Sequence, residues 1–475
     1  MRHVLSVTSE CAPLIKTGGL ADVAGALPAA LHGQGWEMRT ILPGYPGVLA
    51  QLKSPETVFE MPDLFGGAGK VVAAQAGGLK LYIVVAPHLF EREGAPYNDA
   101  TGKEWPDNPQ RFAALSLSAT RIAAEGAGAW RPEVLHAHDW QAGLAPYYLR
   151  RDGIDVPSIL TIHNMAFHGL APASLLDTLG LDRADFTEDG FEYWDQISAL
   201  KAGLNFATKL TTVSPSYARE LMTAEFGMGL DGVLRSRADD LSGILNGIDD
   251  VAWDPATDPA IARYKTAKGK SRAKKALRKE FGLGPADGPL CVVVSRLSDQ
   301  KGLDLLLEAL PALVDRGGQL ALLGSGDRVL ERQFRAAADA HPAISVHIGY
   351  DEALSHRMIA GADAILVPSR FEPCGLTQLY GLRYGTIPIV AYTGGLIDTV
   401  ISATPMALRM GVATGLQFHP ATSDGLARVL MRAVELYRQP KIWGMMQRNA
   451  MRQPVGWESS AAEYAALYEQ LAGPA

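Results

Sequence analysis

The spacing of apolar positions along this chain changes repeatedly between two periods. Short runs rich in β-branched residues, starting with Val4-Leu5-Ser6-Val7-Thr8, predict strands near 2–8, 37–42, 81–86, 133–138, 158–163, 209–213 and 241–245. Between many of them the apolar positions follow the helical period, predicting helices at about 20–33, 109–125, 141–151, 196–207 and 215–225. This alternation is the mark of parallel sheets joined by crossover helices. Residues 57–86 break it and predict a hairpin. The alternation restarts at Leu290-Cys291-Val292-Val293-Val294 and continues with strands near 319–323, 344–349, 364–368, 387–391 and 414–418. A last helix over 457–471 places Trp457, Ala461, Tyr464, Tyr468 and Leu471 on one face.

The pattern therefore predicts two α/β domains, 1–245 and 246–455, followed by a terminal helix in 456–475. Where they join, Asn246-Gly247-Ile248-Asp249 opens a Pro- and Asp-bearing segment through Asp258. A cluster of eight Lys and Arg from Lys265 to Lys279 reads as a solvated helix face. A nucleic-acid patch would need interleaved aromatics, and only Tyr264 is near.

Composition narrows the class. Of 475 residues, 47% are apolar and 20% charged, the balance of an ordered globular protein. With 44 Lys and Arg against 51 Asp and Glu, the net charge of −7 argues against a general nucleic-acid binder. Three scattered cysteines, Cys11, Cys291 and Cys374, form neither a disulfide framework nor a zinc spacing, so a reducing compartment is expected. The first apolar run is too short for a signal-peptide core, and nothing approaches the roughly 18–20 apolar residues of a membrane span. A cytoplasmic location without membrane partners follows as an expectation. The 49 Gly and 29 Pro are spread along the chain, as punctuation of strand-to-helix loops.

In open α/β sheets, ligands bind beyond the carboxyl ends of the strands. The polar residues expected there are Lys16, His138-Asp139, His163-Asn164, Asn246, Arg296 with Lys301, Gly324-Ser325-Gly326-Asp327 and Thr393-Gly394-Gly395. Both domains contribute about equally, so a cleft lined from both sides is the economical arrangement. Lys16-Thr17-Gly18-Gly19 sets an ammonium and open backbone amides at a helix start, which suits an anionic or polar ligand. Arg296 and Lys301, five residues apart after a strand, could clamp a diphosphate and neutralise it as it leaves. No Asp-x-Asp pair is available to hold a metal on a nucleotide sugar. His136 and His138 share one strand face and could ligate a metal, while Asp139 and Trp140 could equally line a sugar site. Pro373 is expected to start a helix whose N-terminus holds the Glu372 carboxylate ionised and lowers the pKa of the Cys374 thiol.

Taken together, these segments resemble the bacterial glycogen synthases and plant starch synthases. The resemblance is carried, in order, by Lys16-Thr17-Gly18-Gly19-Leu20-Ala21-Asp22-Val23, His136-Ala137-His138-Asp139-Trp140, Thr161-Ile162-His163-Asn164 and Val213-Ser214-Pro215-Ser216-Tyr217-Ala218. Asn246-Gly247-Ile248-Asp249, Val294-Ser295-Arg296-Leu297, Gln300-Lys301-Gly302-Leu303-Asp304, the run Pro368 to Gln378 and Thr393-Gly394-Gly395-Leu396 complete it. It implies a GT-B-type fold, two Rossmann-like doubly wound domains facing across a cleft, with the C-terminal helix crossing back onto the N-terminal domain. It also implies retaining transfer of glucose from ADP-glucose to the non-reducing 4-OH of an α-1,4-glucan, with no metal and no other cofactor.

By matched position, Arg296 and Lys301 would neutralise the diphosphate, and Thr393, Gly394 and Gly395 would help hold it. Lys16, Gly18 and Asp22 would serve the donor from the other lobe. Glu372 would position the glucose, with His163, Asp139, Trp140 and Asn246 around the same sugar and Cys374, Gly375 and Thr377 beside it. Related glycosyltransferases carry a second Glu eight positions after the first, where this chain has Tyr380, and some members have His at Gln141. Two other classes stay open on the residues alone: a metal hydrolase built on His136 and His138, and a binding protein without turnover.

Overall fold

The computed structural model describes residues 1–473 and divides into two compact units. One comprises Met1–Asn246 together with the chain from Trp457 onward; the other is Gly247–Gly456.

The first unit is built on a nine-stranded sheet. Its spatial order is Leu241–Gly243, Lys209–Thr212, Ser158–Ile162, Val134–His138, Arg2–Val7, Trp36–Pro43, Leu79–Val85, Gly69–Ala76 and Lys53–Met61. The first seven are mutually parallel, and the last two continue antiparallel from Leu79–Val85. The expected hairpin is thus a three-stranded antiparallel meander at the sheet's edge. Strand order reverses between Arg2–Val7 and Val134–His138, because the chain builds outward on one side before returning to the other. Such a switch point leaves a crevice at the strands' carboxyl ends.

The second unit is a six-stranded, wholly parallel sheet in the order Ile344–Ile348, Gln319–Gly324, Leu290–Val294, Ala364–Val367, Ile387–Ala391, Leu416–Phe418. Helices such as Leu303–Val314 and Ser423–Tyr437 bury their Leu and Val stripes against it. Its order reverses between Leu290–Val294 and Ala364–Val367.

The terminal helix, Glu458–Ala472, belongs to the first unit. Trp457, Ala461, Tyr464 and Tyr468 are buried with Val4, Leu27, Trp36 and Val134. The Tyr468 hydroxyl sits 2.7 Å from His136 Nδ1, and Ser460 Oγ donates to the Leu245 carbonyl at 2.5 Å.

Three expectations need correction. The helix placed at 196–207 begins at Ala199, because Gln196–Ser198 is the centre of a small antiparallel sheet with Leu170–Pro172 and Glu192–Tyr193. Ser198 then caps the helix by accepting from the Lys201 amide. The helix at 215–225 ends at Leu221. The basic cluster forms the helix Lys270–Glu280, but it is not solvated throughout. Lys270 is buried on the same face as Ala273 and Leu277, with its ammonium 2.8 Å from the Ala360 carbonyl, 3.0 Å from that of Tyr384 and 2.7 Å from Thr386 Oγ1. It therefore caps the carboxyl ends of two helices, Glu352–Gly361 and Thr377–Tyr384.

Candidate active site

The chemistry-bearing residues gather at the two switch points. In the second unit, the Leu290–Val294 and Ala364–Val367 strands open into a pocket lined by Ser295, Lys301, Ser369, Glu372, Gly375 and Thr377. Glu372 is only 6% exposed, and its Oε2 accepts from Lys301 Nζ at 2.6 Å and Ser369 Oγ at 2.8 Å. No hydrogen bond to its Oε1 is made by the described residues. Arg296 follows the first strand, exposed and without an ion pair among the described residues.

Backbone geometry fixes this pocket. Gly302, at φ +62°, starts the Leu303–Val314 helix where a Cβ would lie 2.1 Å from the Pro368 carbonyl oxygen. Gly394, at φ +46°, presses on the loop from the other side, where a Cβ would meet the Glu372 carbonyl oxygen at 2.0 Å. Any side chain at either position would push the Lys301 and Glu372 segments apart.

The glycine pair also holds this loop in place. The Gly395 amide donates to the Glu372 and Pro373 carbonyls at 3.1 and 3.2 Å, which holds the loop and removes that amide from phosphate binding. Thr393 caps the Gly394–Thr399 helix in extended backbone. The helix expected from Pro373 starts four residues later, at Thr377, after Gly375 turns left-handed at φ +73°. Cys374 is a buried thiol outside any disulfide, in that loop ahead of the helix and not within it. Gln378 holds the turn by donating to the Cys374 and Gly375 carbonyls.

Tyr380 stacks on Trp253 with ring centroids 3.8 Å apart, and His356 stacks on the same indole at 3.7 Å. Tyr380 is therefore one ring of a three-ring stack.

In the first unit, Asp139 ends the Val134–His138 strand at φ +53°, a region a non-glycine residue adopts only at a cost of about 1–3 kcal/mol. Its Oδ1 accepts from the His163 amide at 2.6 Å and the Asn164 amide at 3.3 Å, so it shapes the turn after the neighbouring strand. Burial pushes its carboxyl up to about 7 despite those two amides, and the nearby Glu10 charge pushes the same way. His163 Nε2 pairs with His138 Nδ1 at 3.0 Å, and His138 Nε2 with Ser6 Oγ at 3.1 Å. His136 pairs with Tyr468 on one side and with Thr161 at 2.6 Å on the other. Burial drives His136 and His163 down to about 3 and His138 well below its ordinary range, so all three are neutral imidazoles.

Both ring nitrogens of His136 and His138 are engaged by protein groups. Among the described residues no three His, Cys, Asp or Glu side chains are grouped to hold a metal ion. Trp140 packs edge-on against Phe112 at 4.9 Å. Asn246 is buried, and its Oδ1 is an acceptor without a donor among the described residues.

The expectation of an open anion nest at Lys16-Thr17-Gly18 is not met. Glu10 is nearly fully buried and accepts from the Thr17 amide and hydroxyl, the Gly18 amide at 3.1 Å and Tyr97 OH at 2.6 Å. A carboxylate thus already sits on the amides where a phosphate would go. Lys16 is paired with Asp22 at 2.7 Å on a partly exposed surface. Sequence reasoning passed over Glu10, although an acidic residue directly beyond the first strand at a switch point was the available signal.

Known proteins are similar to this chain along nearly its whole length. A family model described as the starch synthase catalytic domain matches residues 3–236, and one described as glycosyl transferases group 1 matches 274–450. A glycogen synthase from Paracoccus denitrificans is 61% identical over 99% of this chain and 100% of its own. One from Jannaschia sp. is 60% identical with the same coverage. The catalytic domain of starch synthase IV from Arabidopsis thaliana, solved with ADP and acarbose, superposes with a TM-score of 0.89 at 32% identity over 99% of both chains. No helix among the described residues is long and apolar enough to cross a membrane. With a doubly wound fold of the GT-B type and near-complete alignment to these relatives, the chain belongs to the glycogen synthase family of glycosyltransferases.

Proposed function

We propose that this protein transfers glucose from ADP-glucose to the non-reducing 4-OH end of an α-1,4-glucan, with retention and release of ADP. The observation that carries the reading is the Lys301–Glu372–Ser369 cluster at the second unit's switch point, with Arg296 exposed at the same strand end. It joins cations suited to a diphosphate with a carboxylate oxygen suited to a sugar hydroxyl.

In this reading Lys301 and Arg296 offset the charge that grows on the diphosphate as the C1–O bond breaks. Glu372 Oε1 accepts from a glucose hydroxyl, with Thr377, Gly375 and Cys374 shaping the wall beside it. In the first unit, neutral His163, Asp139, Trp140 and Asn246 are groups suited to hold a sugar through hydrogen bonds and contact. A front-face displacement balances without a protein nucleophile. The acceptor O4 bonds to C1 on the face the phosphate leaves, and its proton passes to a phosphate oxygen of ADP.

No metal or other cofactor enters this scheme, and the protein acts in the cytoplasm. The test is a donor screen with radiolabelled ADP-glucose and UDP-glucose on a glycogen primer, with and without chelator. Label carried into glycogen from ADP-glucose with chelator present is the expected outcome. No incorporation from ADP-glucose would overturn the activity, and loss on chelation would overturn metal independence.

A further inference from the structure

The small sheet at 170–198 carries a feature that the proposed reaction does not use. Trp194 and Asp195 form the two-residue turn between Glu192–Tyr193 and Gln196–Ser198, at φ +51° and +60°. Turns of this kind favour Asn-Gly, and a bulky residue in the first position is strained. Trp194 is also 80% exposed, so its indole packs in no core that would offset the strain. Its neighbours extend an aromatic surface. Tyr193 lies 6.5 Å from Trp194 and 4.7 Å from His168 between ring centroids, and Phe167 is 55% exposed.

Two further observations restrict what this surface meets. The stretch Thr187–Ser198 holds four acidic residues, Glu188, Asp189, Glu192 and Asp195, and no Lys or Arg. That charge repels phospholipid headgroups and nucleic acid, but its carboxylates accept hydroxyl donors from a neutral polyol. The chain also links this surface to the candidate site. Residues 163–169 run directly from the turn that Asp139 holds to Gly169, whose backbone lies against the Trp140 ring.

We infer that Trp194, Tyr193 and Phe167 form a platform for a distal stretch of an α-glucan chain, outside the reacting sugar's site. Faces of aromatic rings suit the apolar faces of glucose units, and the flanking carboxylates suit their hydroxyl edges. The inference rests on the reading that the substrate is a glucan, and its test is built to separate the two.

Trp194→Asn suits the left-handed turn better than tryptophan, so a loss of binding in it is not a loss of folding. Phe167→Ser serves as a second variant. Retardation of the purified protein in glycogen-containing native gels, KM for glycogen and for maltotriose, and sedimentation velocity are the measurements. Both variants should show glycogen affinity reduced about 5- to 10-fold, the size of one aromatic contact. Their kcat, and their KM for maltotriose, should stay at the wild-type values.

Unchanged retardation and KM would overturn the platform while leaving the transferase reading intact. So would an altered sedimentation coefficient with glycogen binding preserved, which would make the surface a contact between copies of the chain. A wild-type protein that glycogen does not retard would also overturn it, and the separate ADP-glucose assay then reports whether the reaction falls too.

Discussion

Replacing Glu372 by glutamine separates two roles that a carboxylate in this pocket can play. In the structure its Oε2 is committed to Lys301 at 2.6 Å and Ser369 at 2.8 Å, while Oε1 has no donor among the described residues. Glutamine keeps the shape, and its carbonyl oxygen can still accept from both partners. The amide nitrogen then takes the place of Oε1 and presents a donor where the proposed sugar hydroxyl needs an acceptor. Losing one hydrogen bond to a charged group costs about 1.5–3 kcal/mol, so kcat/KM should fall roughly 10- to 150-fold. ADP should bind at least as tightly, because a negative charge beside Lys301 has been removed. A continuous assay of ADP release, with calorimetric titration of ADP, reads both effects. A nucleophilic role predicts something else: loss of roughly 10⁴-fold or more, since the amide cannot form the glycosyl intermediate. A loss of that size would refute the positioning role, and near-normal kcat/KM would remove Glu372 from the sugar altogether. Lys301→Met is a poorer probe. It strands a nearly buried carboxylate with only Ser369, a cost of about 3–5 kcal/mol to folding.

Two predictions concern buried charges. Burial pulls the Lys270 ammonium from 10.5 down to about 7, so the unfolded chain holds more protons between those values and stability should rise with pH across that window. Lys270→Met, which removes a shared donor from three acceptors, should lower stability by about 2–4 kcal/mol at pH 7. The gap from wild type should widen toward pH 9.5 in guanidinium melts, and parallel pH profiles would sink the assignment. For Asp139, raised from 3.8 to about 7, the sign is opposite: stability present below pH 3.8 is lost as pH climbs through 7. Asp139→Asn keeps an acceptor for the His163 and Asn164 amides and tolerates the positive φ. It should be more stable than wild type at pH 8, equal to it near pH 4, and defective in transfer; equal stability at pH 8 would contradict the buried ionised carboxylate.

What the sequence made legible was local. The strand ends carrying Asp139, His163, Arg296 and Lys301 were visible because a β-run ending in polar residues is a short-range signal, and the ordered motifs gave the family. What it hid depended on distant partners. Nothing local to Thr17-Gly18 shows that Glu10 folds back to fill those amides, so the loop read as empty. Pro373 read as a helix start because proline suits a first turn, but the left-handed Gly375 two residues on postpones the helix. The three-residue strand Gln196–Ser198 is too short for a period and was absorbed into the following helix. Lys270 was recoverable. It lies three and seven positions before Ala273 and Leu277, the buried face of its helix, and a cation on that stripe must find acceptors.

The pairing of the cations bears on how an acidic protein handles an anionic donor. With a net charge of −7, long-range steering of a nucleotide sugar is not available, so binding must come from local contacts. Yet Lys301 is already neutralised by Glu372, and Lys16 by Asp22, leaving only Arg296 of the three expected cations without an ion pair among the described residues. A bare phosphate approaching Lys301 would meet the Glu372 charge 2.6 Å behind the ammonium and gain little. On the proposed reading a donor carrying both a diphosphate and a sugar fares differently: its phosphate takes Lys301 and Arg296 while its hydroxyl donates to the carboxylate that the ammonium would otherwise neutralise alone. The carboxylate therefore selects against anions lacking the sugar, which is specificity by an opposing charge and not by added attraction. On this argument Glu372→Gln should bind inorganic pyrophosphate more tightly than wild type does, while losing its preference for the sugar nucleotide.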